Sequence, residues 1–230
     1  MTNTLITGAN KGLGHETARR LVAQGHNVFV GARDRARGEA AAGRLGARFV
    51  QLDVTDDASV NAAAELLKAN GGLDVLVNNA GIFEGPLAAA ELTAGTLERV
   101  YATNVLGIVR VTHAMLPLLQ ASQNPVVVNV TSGLGSFARV HDASIVESKV
   151  VALAYCSSKS AVTMLTVQYA KGLPAIRFNA VDPGYTATDL NGNSGPQTLE
   201  EGTDAIVRLA TIAKDGPTGT FQDRNGIVPW

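Results

Sequence analysis

Very little in this chain can be cross-linked or oxidised. Among 230 residues there is one cysteine, Cys156, so an internal disulfide framework is excluded and a reducing, cytoplasmic setting is expected. Neither sign of charge dominates: 19 Lys and Arg stand against 20 Asp and Glu. Nothing therefore draws the chain as a whole onto nucleic acid or an anionic membrane. No run approaches the about 20 uninterrupted apolar residues of a membrane span. The start, Met1-Thr2-Asn3-Thr4-Leu5-Ile6, lacks the basic stretch and long apolar core of a secretory leader. His15, His26, His113 and His141 show no ligand spacing, so no metal site is expected. What the chain does have is 46% hydrophobic residues and 24 glycines. At this length one substantial core can form without staples.

Strand-like and helix-like segments alternate along the chain. Apolar, often β-branched runs predict strands at 4–6, 27–31, 48–52, 74–77, 125–130, 175–181 and 218–222. Helical spacing predicts helices at 13–24, 34–45, 56–70, 96–119, 151–173 and 199–213, with Gly25 as a plausible stop after the first. Pro125-Val126-Val127-Val128-Asn129-Val130 shows no alternation, as expected of a parallel strand covered on both faces. Right-handed crossovers then leave one α/β architecture, a doubly wound seven-stranded parallel sheet with helices on both faces. No composition shift marks a linker, so residues 1–230 read as a single domain.

In such a sheet, ligands sit at the carboxyl ends of the strands. The first such end is Thr7-Gly8-Ala9-Asn10-Lys11-Gly12-Leu13-Gly14, entering a helix. Gly8 permits a tight turn, Gly12 removes a Cβ where a pyrophosphate would approach, and Gly14 lets helix and strand pack closely. The helix N-terminus adds free N–H groups and partial positive charge. No Lys-Ser/Thr pair closes the loop, so it is not a Walker loop.

This turn and the motifs that follow it resemble the short-chain dehydrogenase/reductase family. After Thr-Gly-x-x-x-Gly-x-Gly come Asn78-Asn79-Ala80-Gly81, Asn104, Ser132, Tyr155-x-x-x-Lys159 and Pro183-Gly184, in family order across residues 4 to about 190. The resemblance implies a Rossmann-type NAD(P)-binding catalytic domain and an oxidoreductase acting on a small-molecule carbonyl or alcohol, as monomer or homo-oligomer. It implies that Gly8, Asn10, Lys11, Gly12, Leu13, Gly14, Asp53, Val54, Asn79, Ala80, Gly81, Pro183, Gly184, Thr186 and Thr188 bind cofactor, together with Tyr155 and Lys159. In the family's pattern Asp53-Val54 contact adenine, and Thr186 and Thr188 hold the nicotinamide carboxamide; Asp53 could instead cap the helix beginning near Thr55 and Asp56. The second strand ends Gly31-Ala32-Arg33-Asp34. By analogy Ala32 replaces the NAD-selecting acid, and Arg33 with Lys11 would clamp the 2′-phosphate of NADP(H). Asp34 could reach a 2′-hydroxyl if the strand ran one residue longer.

Hydride reduction of a carbonyl needs an acid for the developing oxyanion. Tyr155 and Lys159, at i and i+4, share a helical face, and an ammonium beside a phenol lowers its pKa. The resemblance makes Tyr155 the acid/base, Ser132 the donor to substrate oxygen, and Asn104 the holder of a water linked to Lys159. Gly31-Ala32-Arg33-Asp34, Lys11 and the tail after Glu200 are most similar to NADPH-dependent carbonyl reductases. The alternative class is a non-catalytic NADP(H) sensor on the same fold, which would not need the intact Asn104, Ser132, Tyr155 and Lys159. Two departures stand out. The segment 138–150, with Arg139, His141, Asp142, Glu147 and Lys149, lengthens the Ser132–Tyr155 spacing and is expected to be a polar surface loop shaping substrate access. Asn191-Gly192-Asn193-Ser194-Gly195-Pro196 replaces a helical lid, which suggests an open site.

Overall fold

The computed structural model describes residues 1–85 and 87–230. Its strands are β1 (Asn3–Thr7), β2 (Asn27–Ala32), β3 (Arg48–Gln51), β4 (Val75–Asn78), β5 (Val126–Val130), β6 (Arg177–Val181), β7 (Thr220–Asp223) and β8 (Gly226–Ile227). They form one sheet in the order β3-β2-β1-β4-β5-β6-β7-β8. The first seven run parallel, as the pattern predicts, with Leu5 opposite both Phe29 and Leu76 at the centre. The eighth strand is an addition to the expected seven. It pairs antiparallel with β7 through Gln222–Ile227 and Asp223–Gly226, and two residues carry no periodicity from which to read a strand.

The helices are α1 (Gly12–Ala23), α2 (Arg35–Leu45), α3 (Asp57–Ala69), α4 (Ala94–Tyr101), α5 (Gly107–Ala121), α6 (Phe137–His141), α7 (Leu153–Gly172) and α8 (Leu199–Ala210). One face of the sheet is covered by α1, α2 and α8, where Leu21, Ala41, Ile206 and Leu209 pack on Ile6, Val30, Val77 and Val128. The other is covered by α3 and α5, with Leu67, Val111, Met115 and Leu119 against Leu5, Phe29, Leu76 and Phe178. Both faces of β1 and β5 are therefore buried throughout, which is why their sequences do not alternate.

The expected single helix over 96–119 is broken. A π turn, Ala102–Leu106, separates α4 from α5 and carries fully buried Asn104. Such widened turns occur often at functional sites, and the residues Ala102 to Leu106 contain nothing that signals one. Among the described residues this composite, Ala94–Ala121, is the one helical stretch long and apolar enough to cross a membrane; here Val111, Met115 and Leu119 are core residues.

The order reverses between β1 and β4, since β2 continues from β1 on one side and β5 from β4 on the other. A crevice opens at the carboxyl ends of the strands at such a reversal. Gly8, Asn79, Ser132 and Pro183 all follow strand ends on that side.

Candidate active site

At the end of β1 the backbone turns through Gly8 at φ +65°, and Gly12 at φ +57° opens α1. A Cβ on Gly12 would meet nothing within 4 Å, so a cradle lies open there. A Cβ on Gly14 would lie 2.5 Å from Asn79 Nδ2 and 2.8 Å from the Gly8 carbonyl oxygen, which is the close packing expected of that glycine. No side chain caps α1, so its first-turn N–H groups are available to an anion. The Asn79 and Ala80 N–H groups both donate to Thr7 Oγ1 at 2.9 Å, and Asn79 Nδ2 donates to the Thr7 carbonyl at 2.8 Å. Thr7 thus joins the glycine turn to the Asn78-Asn79-Ala80-Gly81 segment, a contribution its place in the fingerprint could have signalled.

Arg33 is exposed, immediately beyond the end of β2. Asp34 is committed elsewhere: its carboxylate accepts from Arg37 N–H at 3.0 Å and caps α2. Asp53 does not cap α3, a role taken by Asp56, which accepts from Ser59 N–H at 2.8 Å. Asp53 instead accepts from the N–H and hydroxyl of Thr55. Burial pushes Asp53 up, but these bonds and the charges of Arg33 and Arg110 outweigh it and hold the carboxyl below its ordinary value. Val54 is buried beside it. Lys11 forms an exposed ion pair with Asp189 at 2.9 Å, reaching across from the glycine turn to the segment after β6.

Tyr155 and Lys159 stand on the first turns of α7, and Ser132 follows β5. The Lys159 ammonium lies 5.4 Å from the centroid of the Tyr155 ring and donates to the Val130 carbonyl at 3.0 Å. Lys159 is 4% exposed, and burial lowers its pKa to about 8. The Tyr155 phenol is pushed up, by burial first and then by Asp182, Cys156 and Glu84, while the Ser132 side chain pulls it down. The direction is opposite to the lowering expected beside Lys159, and burial is its largest cause. Asn104 is also brought to this cluster. Its Oδ1 accepts from Ile82 N–H at 2.8 Å, and its Nδ2 donates to the Ile82 carbonyl at 2.9 Å and to Ser158 Oγ at 3.0 Å. A Cβ on Gly81 would lie 3.5 Å from both Asn104 Oδ1 and Lys159 Nζ.

After β6, Thr186 is buried and its hydroxyl donates to the Pro183 carbonyl at 2.9 Å. Thr188 leads into a short 3₁₀ turn, Asp189–Asn191, followed by the expected glycine-rich turn with Gly192 at φ +62°.

The segment 138–150 departs from expectation. It forms α6 and a 3₁₀ turn, Val146–Lys149, and its charged residues are not all in solvent. Arg139 Nη1 lies 3.1 Å from Glu147 Oε1 and 3.0 Å from Asp182 Oδ2, and Nη2 lies 2.7 Å from Asp223 Oδ2. Asp182 is 3% exposed, and its other oxygen accepts from Gly184 N–H at 2.9 Å. Burial raises its pKa, with the Gly184 and Gly133 backbones and Arg139 opposing that rise. The inserted segment is thus fastened by its own arginine to the ends of β6 and β7. The partners lie 43 and 84 residues away, beyond any local pattern.

This geometry has known counterparts. Residues 2–199 match the short chain dehydrogenase family. The chain is 31% identical to a (+)-neomenthol dehydrogenase from Capsicum annuum, with 97% of this chain and 96% of that protein covered. Among solved structures it resembles an NADPH-bound carbonyl reductase from chicken fatty liver, with a TM-score of 0.88 and 27% identity over 100% of this chain and 99% of that one. It also resembles a 3-ketoacyl-(acyl-carrier-protein) reductase from Brucella melitensis complexed with NADH, with a TM-score of 0.86 and 27% identity over 96% of each chain. The chain belongs to the short-chain dehydrogenase/reductase family, and it is an oxidoreductase enzyme of that family.

Proposed function

We propose that this enzyme is an NADPH-dependent reductase of aldehydes or ketones, reversible toward secondary alcohols. The observation that carries the reading is the gathering of Tyr155, Ser132 and buried Lys159 beside an uncapped helix N-terminus at the sheet's switch point. When bound, the nicotinamide supplies the hydride. Tyr155 gives its proton to the carbonyl oxygen as negative charge develops there. A phenol pushed up by burial is protonated at neutral pH and ready as an acid. Ser132 donates to the same oxygen and aligns it. The open cradle at Gly12 and the free N–H groups of α1 suit a pyrophosphate.

The choice of NADPH rests on charge. Arg33 stands exposed at the end of β2, and Asp34, the carboxylate that the sequence offers to a ribose 2′-hydroxyl, is occupied in capping α2. The names of two relatives, a carbonyl reductase and a neomenthol dehydrogenase, agree with a ketone–alcohol pair.

The test is NADPH oxidation followed over a panel of aldehydes and ketones, with NADH as control. Tyr155→Phe is expected to bind NADPH like the wild type while turnover falls by about a hundredfold or more. Full turnover in that variant, or tight NADPH binding with no carbonyl or alcohol turned over, would sink the reading. Tighter binding of NADH than NADPH would overturn the cofactor choice.

A further inference from the structure

The segment after Gly81 takes no part in the reaction proposed above, yet it wraps the residue that performs it. Helix α7 begins at Leu153, and its N-cap position holds Ala152, whose side chain can accept nothing. A helix that starts this way leaves first-turn N–H groups without a local partner. Two of them, on Ala154 and on Tyr155 itself, donate to Glu84 Oε1 at 3.0 and 3.2 Å. Glu84 lies 70 residues before Ala154 in the chain, on the loop that leaves β4. A carboxylate here also meets the positive end of the helix dipole. Its second oxygen is buried with no hydrogen-bond partner among the described residues. A buried acceptor left unpaired costs about 1–3 kcal/mol, so the carboxylate sits where only the helix end rewards it.

The neighbours of Glu84 are fixed as well. The Phe83 ring meets the Tyr155 ring edge-on, with centroids 5.7 Å apart. Ile82 is held by both ends of the Asn104 side-chain amide, whose oxygen accepts from its N–H and whose nitrogen donates to its carbonyl, and the same nitrogen donates to Ser158 Oγ. The Ser158 hydroxyl in turn donates to the Tyr155 carbonyl at 2.7 Å. The backbone of Tyr155 is therefore held from two sides, at its N–H by Glu84 and at its C=O by Ser158, and both holds lead back to Asn104.

We infer that Glu84 is a positioning residue for Tyr155: from across the cleft its carboxylate caps the helix that carries the phenol and fixes where that phenol points. The inference rests on the reading of Tyr155 as proton donor. Glu84 holds Tyr155 through its backbone N–H, with its charge a minor contribution to the rise of the phenol, and it touches no reacting atom. A displacement of ~1 Å at a reacting group is worth up to about a hundredfold in rate, so losing this hold should act on kcat.

The experiment compares wild type, Glu84→Ala and Glu84→Gln as purified full-length proteins, on a ketone that the wild type reduces with NADPH. Glu84→Ala is expected to lower kcat about tenfold or more while KM for NADPH stays within about twofold. Glu84→Gln keeps an acceptor oxygen for the two N–H groups and should recover kcat to within about threefold. If the alanine variant does not fold, Glu84→Asp, whose shorter side chain falls away from the helix end, takes its place with the same expectation. A folded loss variant with wild-type kcat, or equal impairment in the loss variant and in Glu84→Gln, would overturn the inference. A wild type that binds NADPH but reduces no carbonyl would overturn the reading beneath it, a result distinct from an active wild type that is indifferent to Glu84.

Discussion

Where β1 ends, the chain is held in place by backbone. Gly8 and Gly12 turn it, Gly14 brings α1 within contact of Asn79, and Thr7 ties the turn to the end of β4 with three short hydrogen bonds. Where β5, β6 and β7 end, the chain is held by charge. One guanidinium, Arg139, meets Glu147, Asp182 and Asp223, and through them binds the segment after Ser132 to two other strands. The two ends of the site therefore have different failure modes. Backbone packing is independent of pH and salt and intolerant of a single methyl group. An ion cluster tolerates shape changes but depends on the protonation of its members.

The largest expected effect follows from removing that guanidinium. Arg139→Met leaves Asp182, Glu147 and Asp223 facing one another with side-chain exposures of only 3%, 18% and 14%. Breaking a buried pair this way costs about 3–5 kcal/mol, and the partial exposure of Glu147 and Asp223 argues for the lower end. The deficit should depend on pH. Burial raises Asp182 above its ordinary value, so folding takes up a proton there, and this group disfavours the folded state as pH rises through its shifted value. Arg139 lowers Asp182, so its loss raises that carboxyl further and widens the dependence. Urea denaturation should show the largest difference from wild type near neutral pH and a smaller one at about pH 5. A deficit that is flat with pH would mean that packing by the arginine stem, not charge, holds the segment.

The two regions also differ in how openly the sequence announces them. The glycine turn lies within eight consecutive residues, Thr7 to Gly14, and each residue type there has a local physical reason. The alternation of strands and helices was equally legible, because burial on both faces leaves β1 and β5 without a polar–apolar alternation, most openly in the three valines that open β5. Ser132, Tyr155 and Lys159 were legible through the family resemblance, with only the i, i+4 placement of Tyr155 and Lys159 on one helical face readable from spacing itself. The ion cluster was not. A polar stretch such as 138–150 reads as surface, and only the fold reveals that Arg139 turns toward Asp182 and Asp223. The same holds for Glu84, because capping preferences are local in sequence and this cap comes from another loop. The π turn at Asn104 and the two-residue β8 escaped for a simpler reason, since neither is long enough to set up a period.

A smaller effect is expected at the backbone-held end. Gly14→Ala gains about 1 kcal/mol of helix propensity, but its Cβ would press on Asn79 Nδ2, the Gly8 carbonyl and Ala9 Cα at 2.5–2.9 Å. Two of these three contacts are backbone atoms that cannot swing aside, and Asn79 would have to give up its bonds to Thr7 and Gly8. Overpacking of this kind costs about 1–3 kcal/mol, so the net change is a loss. The loss should be the same at about pH 5 as at neutrality, in contrast to Arg139→Met. A pH-dependent loss at Gly14 would erase the distinction between the two regions.

The smallest effect lies where the two regions touch. Lys11, in the backbone-held turn, pairs with Asp189, in the segment beyond β6, and both side chains are more than half exposed. Exposed pairs contribute little to folding, so Asp189→Asn should leave the urea midpoint unchanged. Its consequence belongs to the cofactor. If Lys11 helps Arg33 meet a phosphate, Asp189 is a competing anion, and its neutralisation should tighten NADPH binding about two- to threefold at low ionic strength. The gain should shrink as salt is raised, because the charges concerned are solvated, and NADH binding should change less if the 2′-phosphate is the anion involved. Equal gains for NADPH and NADH would move the action of Lys11 to the pyrophosphate and leave Arg33 as the one cation that distinguishes the two cofactors.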